Sequence, residues 1–335
     1  MDLILHKFDL PCRHPFTIAR GTTTVQRTLI VELRHGGHSG YGEAVESRFY
    51  GATVEGMTRL LESLRPQIEA FSPDDPAEFW EAMQPGTTTF PRAALDAAAC
   101  DLWGKLLAAP VWRLWGLDLD RCPPSNYTIG LDSLDVMIEK LKEFDGWPVY
   151  KIKLGTADDI QIVRRLREHT AARFRVDANC AWGVDETIGN AALLEPLGVE
   201  LIEQPLPADD WNGMKQLHRR CALPIIADES CRVESDVDRC AECFDGINIK
   251  LVKCGGPTPA RRMIARARQL GLKVMIGCFT ESSVGISAAA QLLPLVDYAD
   301  LDGALLLARD VAAGVDIHRG RVEFPDRNGC GVRLL

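Results

Sequence analysis

From about residue 125 the chain alternates short runs of β-branched and apolar residues with longer amphipathic stretches. The runs are NYTIGL (126–131), VYKIKL (149–154), RFRVDAN (173–179), VELIEQP (199–205), LPIIADE (223–229), DGINIKL (245–251), KVMIGCF (273–279) and YADLDG (298–303). Runs of this length and composition read as strands, and the segments between them, such as ADDIQIVRRLREHT and PTPARRMIARARQLG, carry apolar residues at helical spacing. Eight strands separated by helices predict an α/β fold of the parallel-barrel type, with its chemistry at the strands' C-terminal ends. A doubly wound open sheet would want a glycine-rich phosphate loop after its first strand, and IGLDSLD offers none.

Residues 1–118 have a different texture. LILHKFDL and QRTLIVELRH alternate like antiparallel strands, SGYGEA suits a third, and helical stretches follow at 53–70, 74–84 and 91–107. This predicts an α+β domain of its own. The final GVDIHRGRVEFPDRNGCGVRLL reads as short strands and turns that return to that domain. The expected division is therefore 1–118, completed by 313–335, with the barrel at 119–312.

The predicted strand ends are unexpectedly polar. Asp177, Glu203 and Asp228 close three successive runs at intervals of 26 and 25 residues, about one strand, one helix and two loops. Oxygen ligands on the same end of consecutive parallel strands converge, which is what a hard divalent cation needs. Lys151 and Lys153 stand before this trio and Lys250 after it. Side chains alternate across a strand, so Lys151 and Lys153 share one face, Asp177 shares its face with Asn179, Lys250 with Asn248, and Asp300 with Asp302. Turned inward, these sets fill a barrel mouth with lysines and carboxylates. So many buried charges must compensate one another or bind an ion and a substrate.

Composition narrows the partners. The 335 residues are 46% hydrophobic and 25% charged with a net charge of −9, which argues against nucleic-acid or anionic-membrane surfaces. MDLILHKFDL lacks the basic start and long apolar core of a signal peptide, so a cytoplasmic location is expected. The 11 scattered cysteines then read as reduced thiols, and the lone pair Cys240 and Cys243 reads as a helix face rather than a metal or redox motif. Self-association is left open.

Taken in strand order, K-x-K on the second barrel strand, Asp, Glu and Asp on the next three and Lys on the sixth resemble the enolase superfamily in its muconate-lactonizing subgroup. The resemblance spans nearly the whole chain, including PFTIARG near the start and ALDAAACDLWGK at 94–105. The D-x-D of the eighth strand resembles the dipeptide epimerases, closest to the L-Ala-D/L-Glu enzymes. The resemblance implies a modified (β/α)7β TIM barrel under an α+β capping domain, and an isomerase that recycles cell-wall peptides. It further implies one Mg²⁺ per subunit on Asp177, Glu203 and Asp228, Lys153 and Lys250 as an acid/base pair, and Lys151 as electrostatic support.

The residue types fit that chemistry. Removing a proton α to a carboxylate puts a second negative charge on an ionised group, which a divalent cation stabilises as a Lewis acid. Two lysines on opposite strands serve opposite faces of the planar enediolate, which inverts the centre by 1,1-proton transfer. A small dipeptide held by its carboxylate leaves a free ammonium for Asp300 and Asp302. Arg20, and after it Arg48, is the cation expected to meet an acidic side chain, with Thr128, Tyr50 and Phe16 at the same mouth. The rival readings are o-succinylbenzoate synthase, muconate cycloisomerase or N-acylamino acid racemase on the same scaffold, a metal-free Schiff-base aldolase, and a binding module that has kept the barrel.

Overall fold

In the computed structural model, which describes residues 1–335, the first 45 residues form a three-stranded antiparallel sheet: β1 (Asp2–Ile18), β2 (Gly21–His35) and β3 (His38–Val45). The β1–β2 hairpin is longer than its alternating pattern predicts. Pairing runs from Asp2 with Arg34 to Pro11 with Val25, skips, and resumes from Phe16 with Thr23 to Ile18 with Gly21. Pro11 has no N–H to give a ladder, and the irregularity begins there. The segment PFTIARG is therefore the tip of a hairpin.

Helices α1 (Val54–Ala70), α2 (Pro76–Met83) and α3 (Thr89–Leu106) cover this sheet. The alanines of α3 let it approach closely, and it is buried around almost its whole circumference. Gly40 and Gly42 of β3 meet it with no side chain; a methyl at either position would collide with the backbone of Ala94, Ala98 or Leu102.

The eight predicted barrel strands are all present: β4 (Tyr127–Ile129), β5 (Val149–Lys153), β6 (Arg173–Asp177), β7 (Val199–Glu203), β8 (Ile225–Ala227), β9 (Gly246–Lys250), β10 (Lys273–Gly277) and β11 (Tyr298–Asp300). They lie parallel in sequence order. The seam between β11 and β4 is drawn together by a bridge from Ser125 to Ala299. Buried Arg175 reinforces that seam from inside, donating to Asn126 Oδ1 (3.1 Å) and Ala299 O (2.8 Å) while its Nε holds Glu200 (2.6 Å). Leu201, Ile226 and Met275 form a separate apolar cluster with Tyr298 packed against it. In the strand register Leu201, Ile226 and Tyr298 precede Glu203, Asp228 and Asp300 by two places, and Met275 precedes Gly277, so apolar floor and polar mouth follow from the same alternation.

One expectation fails in detail. YADLDG does not continue as strand through Asp302: β11 ends at Asp300 and a 3₁₀ turn runs over Asp302–Leu306. The N–H of Leu301 is taken by the Ser125 hydroxyl at 2.9 Å instead of a ladder carbonyl. The cysteines are all unpaired, Cys240 and Cys243 among them.

Two buried carboxylates of the first 118 residues cap barrel helices. Asp96 of α3 accepts from Thr258 N (2.7 Å) and Oγ1 (2.8 Å) at the start of the helix Pro257–Gln269. Glu43 of β3 accepts from Ser282 N (3.0 Å), Ser282 Oγ (2.5 Å) and Gly285 N (3.1 Å) at the start of the helix Ser283–Ala290. Both bind anion-seeking N-termini and so tie sheet and α3 to the barrel. The tail joins the same block: Cys330 N donates to Asp101 Oδ1 at 2.7 Å and Lys105 to Val332 O at 3.1 Å.

Burial, with Glu43 adding to it, pushes the Glu281 carboxyl up to about 8 from an ordinary value near 4.5. A raised folded-state pKa gives stability that is full below about 4.5 and lost as pH climbs through about 8, with a slope up to about 1.4 kcal/mol per pH unit. Glu281→Gln cannot ionise. Its melting temperature relative to the unchanged protein should therefore rise between pH 6 and pH 9; a difference that stays flat would show that the carboxyl does not titrate in this window.

Candidate active site

Strands β5, β6, β7 and β9 end in Lys153, Asp177, Glu203 and Lys250, and Asp228 follows the last residue of β8, which brings five charged groups to the barrel mouth. Asp177, Glu203 and Asp228 are wholly buried, and one carboxylate oxygen from each lies within 4.8 Å of the others. Lys151 is the hub of this cluster. Its Nζ lies 2.7 Å from Glu203 Oε2, 2.8 Å from Asp300 Oδ2 and 3.2 Å from Asp177 Oδ2. Burial works against its ammonium, yet Asp300, Glu203 and Asp177 together hold its pKa well above the ordinary lysine range.

Lys153 and Lys250 flank the trio from the second and sixth strands, which are diametrically placed in an eight-stranded ring. Lys153 Nζ contacts Asp177 Oδ2 at 2.6 Å, and Lys250 Nζ contacts Asp228 Oδ2 at 2.8 Å. Each flanking lysine thus pairs with a different member of the trio. For Lys250 burial is again opposed, chiefly by Asp228, and its pKa is held above the usual value. Phe279 covers it, with Nζ 5.0 Å from the ring centre.

The trio fits a hard cation. Glu203 Oε2 is buried without a hydrogen-bond partner, since Lys151 approaches it closely but off hydrogen-bonding angles. Burial pushes the Glu203 carboxyl up to about 7, Lys151 opposing and Asp177 and Asp228 adding to the rise. Neither histidine nor cysteine takes part, and an all-oxygen set suits Mg²⁺ better than zinc. Neighbours hold the ligands in place. Asn248 donates to Glu203 Oε1 at 2.9 Å, and inward-facing Gly277 leaves it room, because a methyl there would stand about 2.5 Å from the amide oxygen.

Lys253 did not stand out in the sequence. Its buried Nζ donates to Asp228 O and Oδ1, Cys231 O and Asn248 O at 2.5–3.1 Å, pinning the loop that carries Asp228. The three-residue step from Lys250 within KLVK was the only signal for it.

Asp300 and Asp302 converge on Thr128 despite the turn between them. Asp302 Oδ2 accepts from Thr128 N at 2.5 Å and Oδ1 from Thr128 Oγ1 at 3.2 Å, while Asp300 Oδ1 accepts from Asn126 at 2.7 Å. The two acids differ electrically. Despite burial, Asp300 is held below the usual carboxylate range by Lys151, whereas Asp302, pushed by burial and by Asp300, rises to about 7. Asp302 makes no ion pair within the protein, and Thr128 orients it. A cavity of about 700 Å³ opens over these groups, bounded by the hairpin tip and residues 46–50.

Arg20 and Tyr50 both reach this cavity. Arg20 is not a free cation: its guanidinium contacts Glu229 Oε1 at 2.6 Å, donates to Asn179 O at 2.9 Å and stacks over Phe49 at 4.6 Å. Glu229, hidden in the sequence beside Asp228, is the partner that sequence reasoning missed. Tyr50 packs edge-on to Phe279 at 6.1 Å, and burial raises its phenol. Arg48 is exposed at the rim.

A parallel barrel whose mouth holds a carboxylate trio between two lysines defines an enolase-type enzyme site. The chain belongs to that superfamily, in its mandelate racemase and muconate-lactonizing branch. Residues 3–116 match the family described as mandelate racemase / muconate lactonizing enzyme, N-terminal domain, and residues 136–335 match the enolase C-terminal domain-like family. It is 53% identical over 336 residues to an L-Ala-D/L-amino acid epimerase of a Maribacter species, covering 100% of this chain and 99% of that one. It is 50% identical to the protein of the same name from Flavobacterium johnsoniae, with both chains fully covered. A dipeptide epimerase from Enterococcus faecalis, solved with Mg and L-Leu-L-Tyr, superposes with a TM-score of 0.93 at 30% identity, over 99% of this chain and 98% of that one.

If the trio is the cation site, added Mg²⁺ should raise the melting temperature of chelator-treated protein, by about 2.7 kcal/mol of stability at a hundred times its Kd. Asp228→Asn and Glu203→Gln should lose that response and about a hundred-fold or more in turnover. Full activity after exhaustive chelation would contradict the assignment.

Proposed function

We propose that this protein is a Mg²⁺-dependent dipeptide epimerase of the L-Ala-D/L-amino acid type, inverting the α-carbon of the second residue. The observation that carries the reading is the pair of buried lysines, Lys153 and Lys250, on opposite barrel strands with the carboxylate trio between them. Asp177, Glu203 and Asp228 would hold the cation, which supplies Lewis-acid stabilisation to the substrate carboxylate as its α-proton leaves.

The remaining roles fall to the chain's own groups. A substrate α-carbon between the two lysines exposes one face to each, so one amine takes the proton and the other ammonium returns one to the far side. Lys151, bonded to Asp300 and lying against Asp177 and Glu203, keeps a fixed positive charge beside the growing negative charge. Asp302 lacks an internal cation and is the acid left to take the substrate's ammonium, with Thr128 holding it and Asp300 alongside. Phe279 and Tyr50 exclude water above Lys250.

We further propose that residues 1–118 with 313–335 act as one capping unit over the barrel of 119–312. The bonds from the tail to Asp101 and Lys105 support this. A cytoplasmic setting suits 11 unpaired thiols, with peptides from cell-wall turnover as the supply of substrate. No helix is long and apolar enough to cross a membrane.

A dipeptide library in ²H₂O, read by mass spectrometry, should show one-dalton gains. Lys153→Ala and Lys250→Ala should both block epimerisation, yet each should still exchange the α-proton of one diastereomer, and the two variants should choose opposite ones. Exchange of the same diastereomer by both would remove the two-face assignment.

The same library tests Asp302. Asp302→Asn should cost dipeptides about 2–5 kcal/mol in kcat/KM, as expected when one partner of a desolvated pair is lost. N-acylated amino acids, which lack the ammonium, should be far less affected. Better turnover of N-succinyl or N-acetyl amino acids than of any dipeptide would favour an acylamino acid racemase instead.

A further inference from the structure

Arg20 is tied to the ends of two strands. It donates to the carbonyl of Asn179, two residues beyond β6, and pairs with Glu229, two residues beyond β8. These are the third and fifth barrel strands, which flank the strand diametrically opposite β11. Arg20 therefore lies across the mouth from Asp300 and Asp302. On the proposed function, where those acids take the ammonium and the trio takes the carboxylate, the side chain beside Arg20 is that of the second, epimerised residue. Exposed Phe49 stacks on Arg20, and exposed Val25 lines the same cavity, so both offer it apolar surface.

We propose that Glu229 sets the preference at this second residue by neutralising Arg20, so that the subsite takes uncharged, apolar side chains in preference to carboxylates. The pair is short, and the glutamate is almost wholly buried, with 1% of its side chain exposed. An incoming carboxylate would have to share Arg20 with an acid it cannot displace into water, and it would itself be desolvated beside that acid. The other arginines of the cavity do not replace it. Arg27 is held by Asp9, Glu46 and Glu55. Arg48 stands exposed at the rim, where solvent and salt weaken its pull. Phe49, stacked on the guanidinium, turns the paired arginine into part of an apolar wall. Glu229 is a positioning residue here, acting through Arg20 rather than on the substrate.

The test is the ratio of kcat/KM for L-Ala-L-Met to that for L-Ala-L-Glu, two substrates of similar length and opposite character. The unchanged enzyme should favour methionine by about ten-fold or more. Glu229→Gln should free Arg20 and lower that ratio at least about ten-fold. Arg20→Met should reduce turnover of both substrates without lowering the ratio. A glutamate preference in the unchanged enzyme that disappears in Arg20→Met would overturn the inference, as would a ratio that Glu229→Gln leaves unmoved. If Glu229→Gln does not fold, the other two proteins still decide. If neither dipeptide exchanges its α-proton, the epimerase reading fails separately, and the same ratio is then taken on N-succinyl-methionine and N-succinyl-glutamate.

Discussion

The site depends on mutual neutralisation of charges that are largely withdrawn from water. Six carboxylates, Asp177, Glu203, Asp228, Glu229, Asp300 and Asp302, crowd one end of the barrel, and Lys151, Lys153, Lys250, Lys253 and Arg20 answer them. Any one of these ions buried alone would cost several kcal/mol. Lys151 touches three of the acids and is the one ion-pair partner of both Glu203 and Asp300, so its loss would leave those two uncompensated. A set balanced this closely binds a divalent cation and a zwitterionic peptide with little new desolvation, because the polar environment is already built.

The fold supplies this constraint with rigid supports. Arg175 closes the seam from inside, Leu201, Ile226 and Met275 pack the floor, and the acids stand on strand ends or on short segments held just beyond them, as Lys253 holds Asp228 and Thr128 holds Asp302. Asp96 and Glu43 fix the first domain onto barrel helices through their N-termini, and that fixes where the long hairpin points. Its tip brings Arg20 over the mouth. The charged cluster thus sits on the barrel, while one wall of the cavity above it comes from the hairpin tip and residues 46–50.

Much of this was legible in the chain. Alternation within each short run decided which residues face inward, and the repeat of one strand and one helix put Asp177, Glu203 and Asp228 at one level. Both signals are local and periodic. What stayed hidden depends on contacts between distant segments. Arg20 reads as a loop cation because nothing near it announces Glu229, some two hundred positions on, as its partner. Lys253 looks like an ordinary helix residue until its four acceptors are assembled around it. The end of β11 at Asp300 turns on one hydroxyl, that of Ser125, taking the N–H of Leu301. Pattern alone extends the strand to Asp302 because the alternation itself does not stop.

The central claim is that a proton leaves one face of the substrate and a different one arrives on the other. Single-turnover epimerisation of a protiated L,L-dipeptide in ²H₂O, with remaining substrate and product analysed separately by mass spectrometry, tests it most directly. With one lysine on each face, the first product formed carries a solvent deuteron at the α-carbon while unreacted substrate stays largely protiated. Product that retains the substrate's own proton would mean that one base serves both faces, and the paired-lysine account would be wrong.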